Sequence, residues 1–379
     1  MKIVIAPDSF KESMTALEAA QSIEKGFKEY IGENLTSEII PMADGGEGTT
    51  RSMADALNGT IYTKTVTGPD GSKVEASYAI LHDTNTAVME MAEASGIGLT
   101  VKEKRNPLKA TTYGTGELIK AALDQGVEKI ILGIGGSATN DGGAGMVQAL
   151  GGKLLDGNNN DLEAGGEALS QLRKIDLSGL DKRLKHTNIV TACDVNNPLT
   201  GPNGASAVYG PQKGADDRMV KILDDALHHY AEVIKSELEM DVENLPGAGA
   251  AGGLGAGLTA FLNASLEPGI DIVLKEANFY ERVKGADLII TGEGKIDHQT
   301  VFGKTPVGVA KASAESTSAP VIALCGQLGE GYEAVFSHGI TAAFSIMPGP
   351  ESVETAMANG KEYISKLARN IAAVRFPNL

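Results

Sequence analysis

The chain is poor in cysteine, poor in positive charge, and has neither a long apolar run nor a Walker loop. Its two cysteines, Cys193 and Cys325, lie in apolar, strand-like stretches, so reduced thiols are expected rather than a disulfide framework or a cysteine metal site. Lysine and arginine number 33 against 49 acidic residues, a net charge of −16 that argues against a nucleic-acid or anionic-membrane partner. A few lysines in a cleft can still overrule that sign for a small anionic substrate. No stretch reaches the roughly 18 apolar residues that span a bilayer. Met1-Lys2-Ile3-Val4-Ile5-Ala6-Pro7 starts a strand at once, without the apolar region of a signal peptide, so the expected location is cytoplasmic. Gly303-Lys304-Thr305 comes nearest to a P-loop, but His298 stands where its first glycine belongs.

Glycine is abundant, at 47 residues, and it has no fixed period, which excludes collagen and marks the tight turns of an α/β protein. A length of 379 residues makes two domains the default. Lys2 to Pro7 reads as a strand, followed by a helix that Thr15 and Glu18 open as a capping box. Glu38 to Met42 is a second strand before Ala43-Asp44-Gly45-Gly46-Glu47-Gly48-Thr49 and a helix. From Thr60 to Ala92 the pattern becomes alternating and β-branched, an antiparallel meander. Regular β-α alternation returns at Ala286. The expectation is an α/β fold: a Rossmann or flavodoxin-like parallel sheet built from residues 1–65 and 286–379, with 66–285 inserted as a second α/β domain.

The insert holds the most informative run. Ile130 to Ile134 reads as a strand covered on both faces, and the loop after it, through Gly145, brings the glycines within Gly133–Gly145 to six. Glycines let the backbone approach a ligand, and a helix opening after the loop and continuing as Met146-Val147-Gln148-Ala149-Leu150 would turn its positive dipole end toward an anion. Gly135, Gly136, Ser137, Thr139, Asn140, Gly142 and Gly143 are therefore the candidate nucleotide phosphate binders. Gly133-x-Gly135-x-x-Ala138, with Asp156 about 20 residues on, also satisfies a loose dinucleotide fingerprint. It supports the competing reading of a nicotinamide-dependent 2-hydroxy-acid dehydrogenase. A carboxylate-binding protein without catalysis is the third reading.

Five carboxylates follow predicted strands: Asp8, Asp44, Asp141, Asp194 and Asp297. Ligands of open α/β sheets bind at those strand ends. With Lys11, Lys295 and Lys304, this is the inventory of phosphoryl transfer, in which carboxylates hold Mg²⁺ and accept a hydroxyl proton while cations and amides neutralise phosphate charge. On that chemistry Asp297 is the first choice of base and Asp44 the second. Lys11 and Lys304 assist catalysis, Asp8, Ser9, Lys11 and Lys295 bind substrate, and Asp194 and Asp141 are the metal candidates.

Pro7-Asp8-Ser9-Phe10-Lys11, Ala43 to Thr49, Gly135 to Gly143, and Thr291 to Asp297 continuing through Phe302-Gly303-Lys304-Thr305-Pro306 resemble the signature blocks of the bacterial type-1 glycerate kinase family. The resemblance spans the chain in four ordered blocks. It departs at Glu12-Ser13, where Gly-Ser is the family pattern after Lys11. The resemblance implies ATP-dependent phosphorylation of glycerate with Mg²⁺, to 2-phosphoglycerate, by a Rossmann-like domain carrying an inserted one. The active site is then expected in a cleft between domains, with glycerate and ATP as partners, neither nucleic acid nor membrane, and homo-oligomerisation open.

Overall fold

The computed structural model describes residues 1–377 and divides into two compact units. Met1–Asp44, Arg51–Asn58 and the chain from Ile270 onward form the first; Gly45–Thr50 and Gly59–Gly269 form the second. In chain order the strands are β1 (Lys2–Pro7), β2 (Thr36–Ile39), β3 (Gly59–Thr67), β4 (Lys73–Leu81), β5 (Thr86–Glu90), β6 (Lys129–Gly133), β7 (Lys153–Leu155), β8 (Lys174–Asp176), β9 (Asn188–Ala192), β10 (Ser265–Glu267), β11 (Leu288–Ile296), β12 (Val321–Leu328) and β13 (Ala342–Ser345).

The first unit is a parallel sheet in the order β13-β12-β11-β1-β2. β1 pairs with β11 from Ile3 opposite Leu288 to Pro7 opposite Gly292, so the two chain ends share one sheet. Ile3, Val4, Ile5 and Ala6 are fully buried, as an aliphatic run without alternation requires when both faces are covered. Helices Ala16–Ile31 and Val353–Arg375 pack together over this sheet, and Ile23, Phe27, Ile364 and Ala368 join Ile3 and Ile5 in one core. A Cβ on Gly26 would lie 2.1 Å from the Ser365 carbonyl oxygen; the close crossing therefore depends on that glycine. The predicted capping box is present, with Thr15 and Glu18 each accepting from the other's backbone N–H.

From β1 the chain steps to β2 on one side, whereas β11 to β13 step away on the other. The strand order therefore reverses between β1 and β11, the place where open α/β sheets bind ligands at their carboxyl ends.

The second unit carries a six-stranded sheet, β10-β9-β6-β5-β4-β3. Its β3-β4-β5 portion is the antiparallel meander, and β5, β6, β9 and β10 continue it in parallel. β3 pairs with β4 along its whole length, so the division falls at Gly59; the helices Gly269–Glu276 and Phe279–Arg282 lie essentially with the first unit. A glycine- and alanine-rich segment forms the helix Ala250–Leu262, entered through left-handed residues Ala251, Gly252 and Gly253. Among the described residues no helix is long and apolar enough to cross a membrane, and both cysteines are free thiols.

Candidate active site

At the strand-order reversal, Asp8 follows β1 and Glu293 stands on the extension of β11; the register Pro7 to Gly292 makes them neighbours. The Asp8 amide donates to the Gly292 carbonyl at 2.8 Å, which fixes this placement. Asp8 accepts from the Ser9 amide at 2.6 Å and from the Thr305 hydroxyl at 2.7 Å. Glu293 accepts from the Thr300 hydroxyl at 2.8 Å and faces the Lys304 ammonium at 3.6 Å. Lys304 and Thr305 begin the helix Thr305–Ser316, whose N-terminal dipole adds positive potential. Lys304 occupies the cap position of that helix, and the Thr305 hydroxyl is spent on Asp8.

Burial dominates the titration of this pair. Asp8 is pushed up to about 6 by desolvation and the neighbouring charge of Asp44, against the hydrogen bonds that favour its ionised form. Glu293 is pushed up to about 7: desolvation outweighs the Lys304 ammonium and the Thr300 hydroxyl, and Asp8 and Asp44 add to it. A carboxylate titrating near neutrality is matched to general-base work.

Asp297 is a different kind of carboxylate. Lys295 pairs with it at 2.9 Å and the Gln299 amide donates to it at 2.9 Å, so its carboxyl is held below the ordinary range. The expected first base is thus the wall of a turn and a weak proton acceptor, and the expected substrate cation Lys295 is its partner. Lys11 is exposed, in a turn whose backbone lies against Gly294. At the family departure, Glu12 takes φ 63°, the left-handed conformation that glycine adopts freely, so the turn keeps its form at the cost of strain.

In the second unit, the loop after β6 splits into two parts. Gly135, Gly136 and Ser137 line a cavity of about 360 Å³ with Gly45, Gly46, Asp194, Tyr209 and Gln212. A Cβ on Gly135 would meet nothing within 4 Å, so space for a ligand opens directly above the backbone. Asp194, at the end of β9, accepts from the Gly269 amide at 2.9 Å and stands in the same wall.

The other half of the loop is core. Asp141 is fully buried and accepts from the Thr112 amide and hydroxyl, both at 2.8 Å, and from the Gly143 and Gly145 amides at 3.2 Å. Both of its oxygens are hydrogen-bonded, three donors falling on Oδ2 and one on Oδ1, and it does not line the cavity, which counts against a metal role. The helix Ala144–Ala149 is only six residues long, and Asp141 is itself the anion at its N-terminus, so the dipole expected to serve a ligand is already answered. Thr139 and Asn140 are wholly buried, the first receiving the Lys213 ammonium on its carbonyl at 2.7 Å and the second donating to Ser206 at 3.0 Å. Gly142 and Gly143 pack against Tyr230 and Leu254. These four positions hold the loop's shape rather than a ligand. The dinucleotide fingerprint fails as well, because Asp156 caps an exposed turn by accepting from the Asn158 and Asn160 amides.

The comparisons with known proteins bear on the whole chain. The family model described as "Glycerate kinase family" matches residues 3–375. This chain belongs to the glycerate kinase family. A relative named glycerate kinase from Halalkalibacterium halodurans is 58% identical over 98% of this chain and 97% of its own length. One named glycerate 2-kinase from Escherichia coli K12 is 53% identical over 98% and 97%. A solved structure titled as a glycerate kinase 2 from Salmonella typhimurium LT2 superposes with a TM-score of 0.91 at 50% identity, covering 99% of this chain and 98% of that one.

Set against the family blocks, the residue that sequence reasoning missed is Glu293. It sits between two glycines and reads as part of a turn, whereas β11 runs on through it to Ile296. A signal was present: residues 293 and 295 alternate on β11, the period of two places them on one face, and Asp297 follows just past the strand end.

Proposed function

We propose that this glycerate kinase transfers the γ-phosphoryl group of ATP to the 2-hydroxyl of glycerate. The single observation that carries the assignment of roles is the carboxylate pair at the sheet's reversal point, partly buried and pushed up toward neutrality beside one ammonium. Glu293, rather than Asp297 or Asp44, takes the hydroxyl proton. Lys304 and the N-terminus of its helix hold the substrate carboxylate; Ser9 and Lys11 border that place, and Asp8 orients Thr305. With Lys304 3.6 Å from the base, a carboxylate held there presents the hydroxyl on the adjacent carbon, the 2-position, more readily than the one beyond it.

Gly135, Gly136 and Ser137 cradle the ATP phosphates in the 360 Å³ cavity. Mg²⁺ uses one or two protein carboxylates and completes its shell with phosphate oxygens and water. Among the described residues no group of three His, Cys, Asp or Glu is placed for a metal, so the donor set fits an ion arriving with the nucleotide and touching the protein through Asp194. That ion would neutralise phosphate charge. The location of Asp194 at a strand end beside the glycine loop supports this role.

A coupled ADP-release assay over C3 to C6 hydroxy acids tests the reading, with ³¹P NMR of the product. Glycerate-dependent ADP release and a 2-phosphoglycerate resonance are expected. Binding of glycerate without ADP release would remove the kinase reading for this chain, and a dominant 3-phosphoglycerate signal would place the cation farther from the base.

A further inference from the structure

A second, smaller cavity of about 130 Å³ lies on the other side of the glycine loop, in the second unit. Lys104, Arg105, Lys109 and Asn106 line it together with Asp70 and Ala138, the residue that follows Ser137. In a chain of net charge −16 this is a local reversal of sign. Lys109 is balanced by Glu167 at 3.2 Å, and Asp70 is turned onto Ser72, accepting from its amide at 3.0 Å and its hydroxyl at 2.5 Å. Lys104 is near enough to Asp70 to help hold its carboxyl below the ordinary range, but among the described residues neither Lys104 nor Arg105 makes an ion pair within 4 Å.

Arg105 is the unusual member. Its Nε donates to the Thr100 carbonyl at 3.3 Å, one terminal nitrogen to the Gln212 carbonyl at 3.2 Å and the other to the Ile97 carbonyl at 3.3 Å. A guanidinium has five N–H donors and no acceptor. Three are used on neutral carbonyls, which leaves one N–H on each terminal nitrogen. Those two N–H groups remain for carboxylate or phosphate oxygens. Two of the carbonyls it already holds belong to Ile97 and Gln212, which line the larger cavity; the Ile97 amide in turn donates to the Gly136 carbonyl at 2.8 Å. One side chain thus ties the small cavity to the wall and the loop of the large one.

We propose that the Lys104–Arg105 cavity is an anion site for the phosphate or carboxylate of a small metabolite, coupled through Arg105 to the nucleotide cavity. Its volume suits one oxyanion group and excludes a nucleotide. An anion on the free fork fixes the guanidinium, and with it the Ile97 and Gln212 carbonyls, so that a nucleotide meets a wall already ordered; coupling of this kind is reciprocal and typically 5- to 150-fold. The inference rests on the nucleotide reading of the larger cavity.

The test uses the full chain and inorganic phosphate, titrated calorimetrically into protein saturated with the non-hydrolysable ATP analogue AMP-PNP. About one equivalent of phosphate should still bind, because the glycine loop is already filled. Phosphate should tighten AMP-PNP at least about fivefold. Lys104→Glu, an exposed substitution, should weaken phosphate about tenfold or more while AMP-PNP affinity without phosphate is unchanged. Arg105→Lys, which keeps charge and loses the fork, should abolish the coupling, with thermal melting as the check that it folds. Glycerate and 2-phosphoglycerate replace phosphate in parallel arms, and because both also bind at the Lys304 centre only the part of each response that Lys104→Glu removes is counted: such a part for glycerate assigns the site to a carboxylate, one for phosphate or 2-phosphoglycerate to a phosphate. No phosphate binding to the AMP-PNP complex, unchanged or weakened AMP-PNP affinity, or indifference to Lys104→Glu overturns the proposal. Failure of AMP-PNP to bind at all instead overturns the nucleotide reading.

Discussion

Asp141 in the second unit is fully buried and Glu293 in the first is largely withdrawn from solvent; both are carboxylates on glycine-rich segments after a parallel strand, yet their surroundings assign them opposite work. Asp141 receives four donors from three residues and closes the N-terminus of a short helix. Glu293 receives one hydroxyl and faces one ammonium at a distance too long for a hydrogen bond. A carboxylate whose lone pairs are filled is a structural anchor; one buried with lone pairs to spare is held at an energetic cost that suits proton transfer. Counting donors separates the two where sequence context does not.

The comparison breaks most visibly in turnover. Glu293→Gln is expected to lower kcat about 10²- to 10⁴-fold with AMP-PNP affinity unchanged, the usual span for a positioned base. Retention of turnover within a few-fold would return the role to Asp297 or Asp44. Asp141→Ala is expected to act on stability instead, by about 3–5 kcal/mol in denaturant unfolding, because it strands the buried Lys213 ammonium, whose charge Asp141 supports, and several amides. If that variant were as stable as the parent and had lost only activity, Asp141 would belong with the reacting groups. Asp297→Asn removes a pair whose lysine is half-exposed, so about 0–1 kcal/mol and no more than a few-fold in kcat are expected. A collapse of kcat there, measured beside Glu293→Gln, would reverse the assignment of base.

These contrasts also mark what the amino-acid order makes legible. Aliphatic runs without alternation, such as Ile3–Ala6 and Ile130–Leu132, announce strands covered on both faces, and their spacing by helical segments announces parallel pairing. Thr15 with Glu18 announces a helix start because a capping box is a local object. The two halves of the glycine loop are not locally distinguishable. Whether Thr139 or Ser137 faces open space depends on Lys213, Ser206, Tyr230 and Leu254, which come from remote segments. Glu293 and Asp8 lie 285 positions apart, and their pairing exists only once β1 and β11 are in register. Carboxylates after strands are readable one at a time; which are satisfied is a tertiary fact.

The most direct check on Glu293 needs no substrate. Asp8 and Glu293 titrate near 6 and 7 in the folded chain against ordinary values of 3.8 and 4.5. Between roughly pH 4.5 and 7 the folded protein therefore holds more protons than the unfolded chain, and stability falls as pH rises through that window. The contribution is fully present below the unfolded values and is lost once the folded values are passed. Carboxylates held low, such as Asp297 and Asp181, lose their stabilisation at more acidic pH, and Lys213, lowered to about 7, acts on the alkaline side. The other groups that titrate in the window, such as His228, are common to parent and variant and cancel in their difference. Glu293→Gln should accordingly match the parent near pH 4.5, where the parent's glutamic acid is neutral. It should become more stable than the parent near pH 8, by up to about 3 kcal/mol, a shift of a few degrees in Tm. Parallel melting curves at both pH values, with no gain for the variant at pH 8, would mean that Glu293 ionises at an ordinary value, and the donor count that sets it apart from Asp141 would lose its meaning.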